Sequence, residues 1–215
     1  MKAKLERRSY SFEVRAEKEE SGDIITGRPI VYDSKTDLGY FDEIIERGAL
    51  KDTDLTDVRF LVNHDISRIP LARSRRNNEN STMRLLVDDE GMSIRVKLDT
   101  ENNSEARALY SAVQRGDISG MSFMFGIDKE EWEELESDHP TRRIKAISSV
   151  VEVSAVTFPA YEATEISARD CEAALESARS AVETARAQKQ GNALESANNN
   201  ELELLKLRNR IIGRF

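Results

Sequence analysis

The chain has 215 residues, 39% of them apolar, and a formal charge of −8. That length suits one domain with an appendage, or two small domains, and the acidic balance lacks the basic footprint of a nucleic-acid binder. No apolar run approaches the roughly 20 residues of a membrane span. The opening Met-Lys-Ala-Lys-Leu-Glu-Arg-Arg has no apolar segment behind it, so it does not read as a secretory signal. Cys171 is the single cysteine, which precludes an internal disulfide framework and fits a reducing compartment. One cysteine and two histidines cannot complete a Cys/His zinc site, and separately no metal or cofactor is expected to be required.

Residues 9–15 alternate with period two, as a half-exposed strand does. A charged turn over 17–23 leads to a second strand over 24–32, where Gly27 and Pro29 point to a bulge or an edge position. Residues 33–39 read as a polar loop, 41–48 as a short helix ended by Gly48, and 50–57 as an acidic connector. A third strand over 58–62 runs into Asn63-His64-Asp65, and a basic, Asn-rich loop spans 73–81. Strands over 83–87 and 92–98 flank a hairpin turn at 88–91. Ala106, Leu109, Tyr110 and Val113 make the apolar stripe of a helix over 105–114, with Gly116 past its end.

Ile118-Ser-Gly-Met-Ser-Phe-Met-Phe-Gly126 then reads as a buried or half-buried strand that presents Ser122 on one face. An acidic stretch over 128–136 and a turn at 137–140 precede strands over 142–147 and 148–158, the latter stopped by Pro159. The fold expected is α+β: an antiparallel sheet or small barrel with flanking helices. Alanine dominates 173–197, Gly191 and Asn198 to Asn200 interrupt the pattern, and 201–212 reads as a second, leucine-rich helix. Residues 1–168 are therefore assigned to the main domain and 169–215 to a helical tail.

Acyl transfer by a serine needs a hydroxyl, a base and a group that orients the base. With two histidines in the chain, the base is nearly a forced choice. His64 stands at a strand-to-loop junction, whereas His139 lies in an acidic turn before Pro140 that suits a solvated surface. A lone histidine at a strand end is more often a hydrogen-bonded structural residue. Ser122 has an equally plain alternative, because serines are common in strands and Gly120 can mark a bulge. Gly120 also permits the close backbone approach that an oxyanion-binding N–H requires. The nucleophile elbow Gly-x-Ser-x-Gly is not matched, because position 124 is Met, and its alternating strand–helix pattern is missing. Glu152, among β-branched residues, orients the base if its face is buried and faces solvent if it is not. Asp65 ranks lower, since a neighbour in sequence seldom reaches the ring productively.

A resemblance adds to this reading. Asn63-His64-Asp65 after a strand, Gly120-Met-Ser-Phe about 60 residues on, and Val151-Glu-Val-Ser-Ala-Val-Thr-Phe-Pro-Ala-Tyr161 resemble the HK97-type prohead (procapsid maturation) proteases of tailed phages. Gly27-Arg-Pro-Ile-Val-Tyr32 and Phe41-Asp-Glu-Ile-Ile-Glu-Arg-Gly-Ala-Leu50 resemble that family's opening strand and the segment after it. The likeness covers roughly residues 8–168, in order. It implies a serine endopeptidase with a herpesvirus assemblin-like β-barrel, His64 as general base and Ser122 as nucleophile. Assemblin relatives use a second histidine as the third member. Here His139 lies outside a matching motif, so Glu152 is preferred.

The same likeness implies work in the host cytoplasm, inside the assembling procapsid. The substrates implied are the major capsid protein, its scaffold or delta segment, and the protease itself, and a homodimer or higher oligomer is implied as well. Residues 169–215 are then a scaffold-docking segment removed by self-cleavage, or else a helical cap on the barrel. A runner-up function is a non-catalytic capsid-assembly or scaffolding protein that keeps the same barrel.

Overall fold

The computed structural model describes residues 5–10, 14–19, 22–157 and 168–212. Residues 11–13 of the expected first strand, 20–21 of the turn after it, and 158–167 with the Pro159 stop lie outside the described residues. Eleven described strands and two helices follow in order: β1 Leu5–Tyr10, β2 Arg15–Glu19, β3 Gly22–Val31, β4 Lys35–Asp37, β5 Asp42–Ile45, β6 Asp57–Val62, β7 Ala72–Arg75, β8 Met83–Asp88, β9 Gly91–Leu98, α1 Ser104–Arg115, β10 Gly120–Glu133, β11 Thr141–Val156 and α2 Ala168–Ile212.

The strands form two sheets. One has seven strands in the order β1-β10-β11-β5-β4, with β6 pairing the far half of β11 and β7 outside β6. The other has four, β2-β3-β9-β8. The closed barrel expected from the family likeness is not formed among the described residues. Nor is the architecture purely antiparallel, because β11 pairs in parallel with both β5 and β6. Its 16 residues make this possible: Thr141 to Ile144 pair with β5, and Glu152 to Ala155 pair with β6. What the sequence divides into two strands is one strand because bulges between Met124 and Glu130 of β10 absorb the change of register.

The core lies between the sheets. Ile25, Ile94 and Val96 from the smaller sheet meet Phe60, Phe123, Phe125 and Val153 from the larger one. Helix α1 adds Ala106, Leu109 and Val113. The Asn103 side chain caps this helix by accepting from the backbone N–H of Glu105 and Ala106, and Gly116 ends it in the left-handed region at φ 79°. Gly91, in the β8–β9 hairpin, is required sterically, since a Cβ there would lie 2.0 Å from the Ile30 carbonyl oxygen.

Two further expectations are corrected. The segment 41–48 is not a helix: β5 occupies Asp42–Ile45, and Phe41, Glu43 and Ile45 alternate into the interior. A carboxylate on the buried face disguised the two-residue period. The tail is one helix, α2, where two were expected. Gly191 costs only about 1 kcal/mol relative to alanine, and there is no proline after Pro159 to stop the helix. Ala178 and Val182 of α2 pack on Phe41, with Leu38 and Trp132 alongside. Arg186 donates from Nε to the Leu135 carbonyl, 2.9 Å.

Candidate active site

His64 follows β6, and two consecutive residues there take left-handed backbone: Asn63 at φ 51° and His64 at φ 58°. Such a pair persists only where its surroundings hold it. The Asn63 N–H donates to the Ala155 carbonyl, 2.9 Å. Its side chain accepts from the Thr157 N–H, 2.9 Å, and donates to the Thr157 hydroxyl, 3.0 Å. The His64 N–H donates to Ser154 Oγ, 3.1 Å. Both residues are thus tied to the end of β11.

The ring is then aimed at Glu152. His64 Nδ1 lies 2.5 Å from Glu152 Oε1. Glu152 is buried, at 1% exposure, so the solvent-facing alternative for this residue does not apply. Its second oxygen, Oε2, accepts from the Ser154 hydroxyl, 2.6 Å. With Nδ1–H donated to a carboxylate, Nε2 is the nitrogen left with a lone pair to accept a proton.

Ser122 sits one strand away. It is the direct partner of Ser154 across the β10–β11 ladder, and Met124 is the partner of Glu152. The two strands are therefore about 4.8 Å apart at Ser122. The Ser122 hydroxyl, however, donates to the Arg8 carbonyl of β1, 2.8 Å, and makes no hydrogen bond to His64 among the described residues. Ser122 has no exposed surface. The structure thus brings His64 and Glu152 into contact and sets Ser122 beside them with its proton engaged elsewhere.

The other histidine is remote. His139 precedes β11, and Glu152 stands 11 residues along it from Thr141, on the order of 35 Å at strand rise. His139 Nε2 is 3.3 Å from Asp42 and 3.6 Å from Asp37. These three are the described residues whose donor atoms cluster as metal ligands do, all within 4.8 Å of one another. Asp65 stays local and binds Ser67.

Sequence reasoning missed Ser154, although period two places it on the same face as Glu152. It also missed the ionic cluster that fixes β1. Arg8 Nε donates to Glu43 Oε1, 2.5 Å, and Arg8 Nη2 donates to Glu43 Oε2, 2.7 Å. Arg142 reaches Glu6, 2.7 Å, Glu43, 3.4 Å, and Glu130, 2.8 Å. Burial acts to raise the Glu6 carboxyl, but its bond to Arg142 and the charges of Arg8 and Arg142 prevail and hold it down at about 2.

The chain is similar to known proteins of one family. The family model described as caudovirus prohead serine protease matches residues 10–177. The chain belongs to that family. The prohead protease of Enterobacteria phage HK97 is 38% identical over 85 residues, which is 39% of this chain and 36% of that protein. This chain thus spans about a third of that relative's length. The solved structure of the bacteriophage T4 capsid assembly protease, gp21, is similar with a TM-score of 0.43 and 12% identity, over 71% of this chain and 97% of that one.

Proposed function

We propose that the chain is a serine endopeptidase that cleaves capsid or scaffold proteins, and itself, during phage procapsid maturation. The observation that carries this reading is the buried His64–Glu152 pair at 2.5 Å, one strand from Ser122, in a chain of the prohead serine protease family. In the working state His64 Nε2 takes the proton of Ser122, and Ser122 Oγ attacks the peptide carbonyl carbon. Backbone N–H groups near the serine hold the oxyanion. The protonated imidazole, its charge balanced by Glu152, then gives the proton to the departing amine. Water, deprotonated by the same nitrogen, releases the acyl group and restores Ser122.

Membership of the family supports, as substrates, the major capsid protein and its scaffold or delta segment, met inside the procapsid. The test is intact-mass analysis of the protein and Ser122→Ala, each incubated at high concentration and each co-expressed with the capsid protein. Truncation of either chain in the unmodified protein alone supports the reading, and the fragment ends give the cleavage sites. Identical patterns in both proteins overturn it.

One observation favours a second reading, a non-catalytic assembly protein: the Ser122 hydroxyl is buried and bonded to the Arg8 carbonyl. On that reading Ser122→Ala supports capsid assembly without change and no capsid fragment forms with either protein.

A further inference from the structure

Ser122 cannot act as it stands. A nucleophile must be reached by a peptide carbonyl and must hand its proton to a base. Here the residue is wholly buried and its proton points at the Arg8 carbonyl. The segment that does this, β1, has an unusual place in the fold. It is the edge strand of the seven-stranded sheet and lies directly on the strand that carries Ser122. Its register runs from Leu5 opposite Gly126 to Tyr10 opposite Met121, with Ser9 opposite Ser122. An extended peptide approaching Ser122 along the open edge of β10 would need the same backbone groups.

The way β1 is held separates it from a permanent strand. Of Leu5 to Arg8, whose side chains the structure describes, none belongs to the hydrophobic core, and Leu5 is exposed. Its anchors are backbone pairing and charge: Arg8 on Glu43, and Glu6 on Arg142. Glu43 is completely buried and is shared between Arg8 and Arg142. The Arg8 guanidinium also lies 5.7 Å from the centroid of Phe125, the second aromatic after Ser122. One residue, Arg8, thus supplies both the carbonyl that occupies Ser122 and the charge that fastens the strand.

We propose that β1 is an internal lock: it occupies the peptide-binding edge of β10, fastened by Arg8 and Glu6, and must leave before Ser122 can work. The proposal rests on the serine endopeptidase reading. A competing extended peptide, presented at the high local concentration of an assembling shell, is the kind of partner that displaces it. The lock is reversible, because it breaks hydrogen bonds and ion pairs and no covalent bond.

The test compares the full chain, Arg8→Glu and Ser122→Ala. Arg8→Glu sets a third carboxylate against Glu6 and Glu43 and so expels β1. Two quantities are read. One is the rate at which a fluorophosphonate reacts with Ser122, its oxygen displacing fluoride from phosphorus, followed by intact mass. The other is hydrogen exchange of the β1 amides. Arg8→Glu is expected to show unprotected β1 amides and labelling at least tenfold faster than the unmodified chain, with no labelling of Ser122→Ala. A synthetic peptide of residues 5–10 in excess is expected to slow labelling of Arg8→Glu again. Equal labelling rates with β1 detached overturn the lock and leave the protease reading standing. No labelling with β1 detached, while the peptide still restores protection to the β10 amides, overturns the protease reading instead. If Arg8→Glu loses its cooperative unfolding transition, Arg8→Ala is read by the same criteria.

Discussion

Ser154 stands directly opposite Ser122 on the neighbouring strand, and its buried hydroxyl bonds both His64 and Glu152. It donates to the carboxylate and accepts from the histidine backbone, so one small side chain fixes both members of the pair. Ser154→Ala leaves the His64 N–H and one carboxylate oxygen short of a partner. The expected cost is about 1–3 kcal/mol of stability. With the imidazole less well aimed, kcat on a peptide substrate is expected to fall by about tenfold with KM little changed. Urea denaturation and steady-state kinetics check the two numbers.

Glu152→Gln tests the orienting carboxylate. The amide keeps the shape and loses the charge that balances the imidazolium. On the proposed mechanism, and by comparison with catalytic triads, kcat should fall by roughly 10³–10⁴-fold. The measurement is peptide cleavage by variant protein whose melting temperature is close to that of the parent. Activity within tenfold of the parent would show that Glu152 has no such role.

Glu43 is the hub of the ionic cluster. Glu43→Ala leaves Arg8 and Arg142 facing each other with a partner removed, and breaking a buried pair in this way costs about 3–5 kcal/mol. Urea denaturation should report a lower midpoint with little change in slope.

The cluster also sets a pH dependence. Glu6 is held at about 2 in the fold against 4.5 as its ordinary value. A lowered carboxyl contributes stability that is fully present above 4.5 and is lost as pH falls through the window to 2. The contribution is on the order of 3 kcal/mol. Glu6→Gln is expected to lose stability at pH 7 and to approach the parent near pH 2, as followed by chemical denaturation at each pH.

Trp132 is the single tryptophan and lies 4.9 Å from Phe41, edge to face, beneath α2. Val182→Asp places a charge in that contact and should lift the helix away. A red shift of tryptophan emission is the expected signature. Unchanged emission would mean that the helix stays docked.

Some of this molecule was legible in its sequence for clear physical reasons. The β8–β9 hairpin and α1 announce themselves through local signals, a turn at Asp88 to Gly91 and a cap-to-cap apolar stripe. The segment Phe41 to Gly48 was misread because Glu43 puts a charge where an interior strand position should be apolar. Its explanation, Arg8 and Arg142, lies 35 and 99 residues away. The parallel pairing of β11 with β5 and β6 was equally hidden, since nothing local records which distant strand a segment will meet. The site shows the same division. Chemistry marks out His64, Ser122 and Glu152 as candidates, but the tether through Ser154 and the cover of Ser122 by β1 are properties of the assembled sheet.

The parallel docking of β11 has a consequence for timing. His64, Ser122 and Glu152 belong to segments that meet only when residues 141–156 enter the sheet between β10 and β6. Until then a growing chain holds a histidine with no carboxylate and a left-handed Asn63-His64 turn with nothing to brace it. Contacts of such long sequence separation form late and slowly. The His64–Glu152 pair therefore forms only once the last described strand is in place, and a ribosome-bound chain that has not yet released residues 141–156 does not have it.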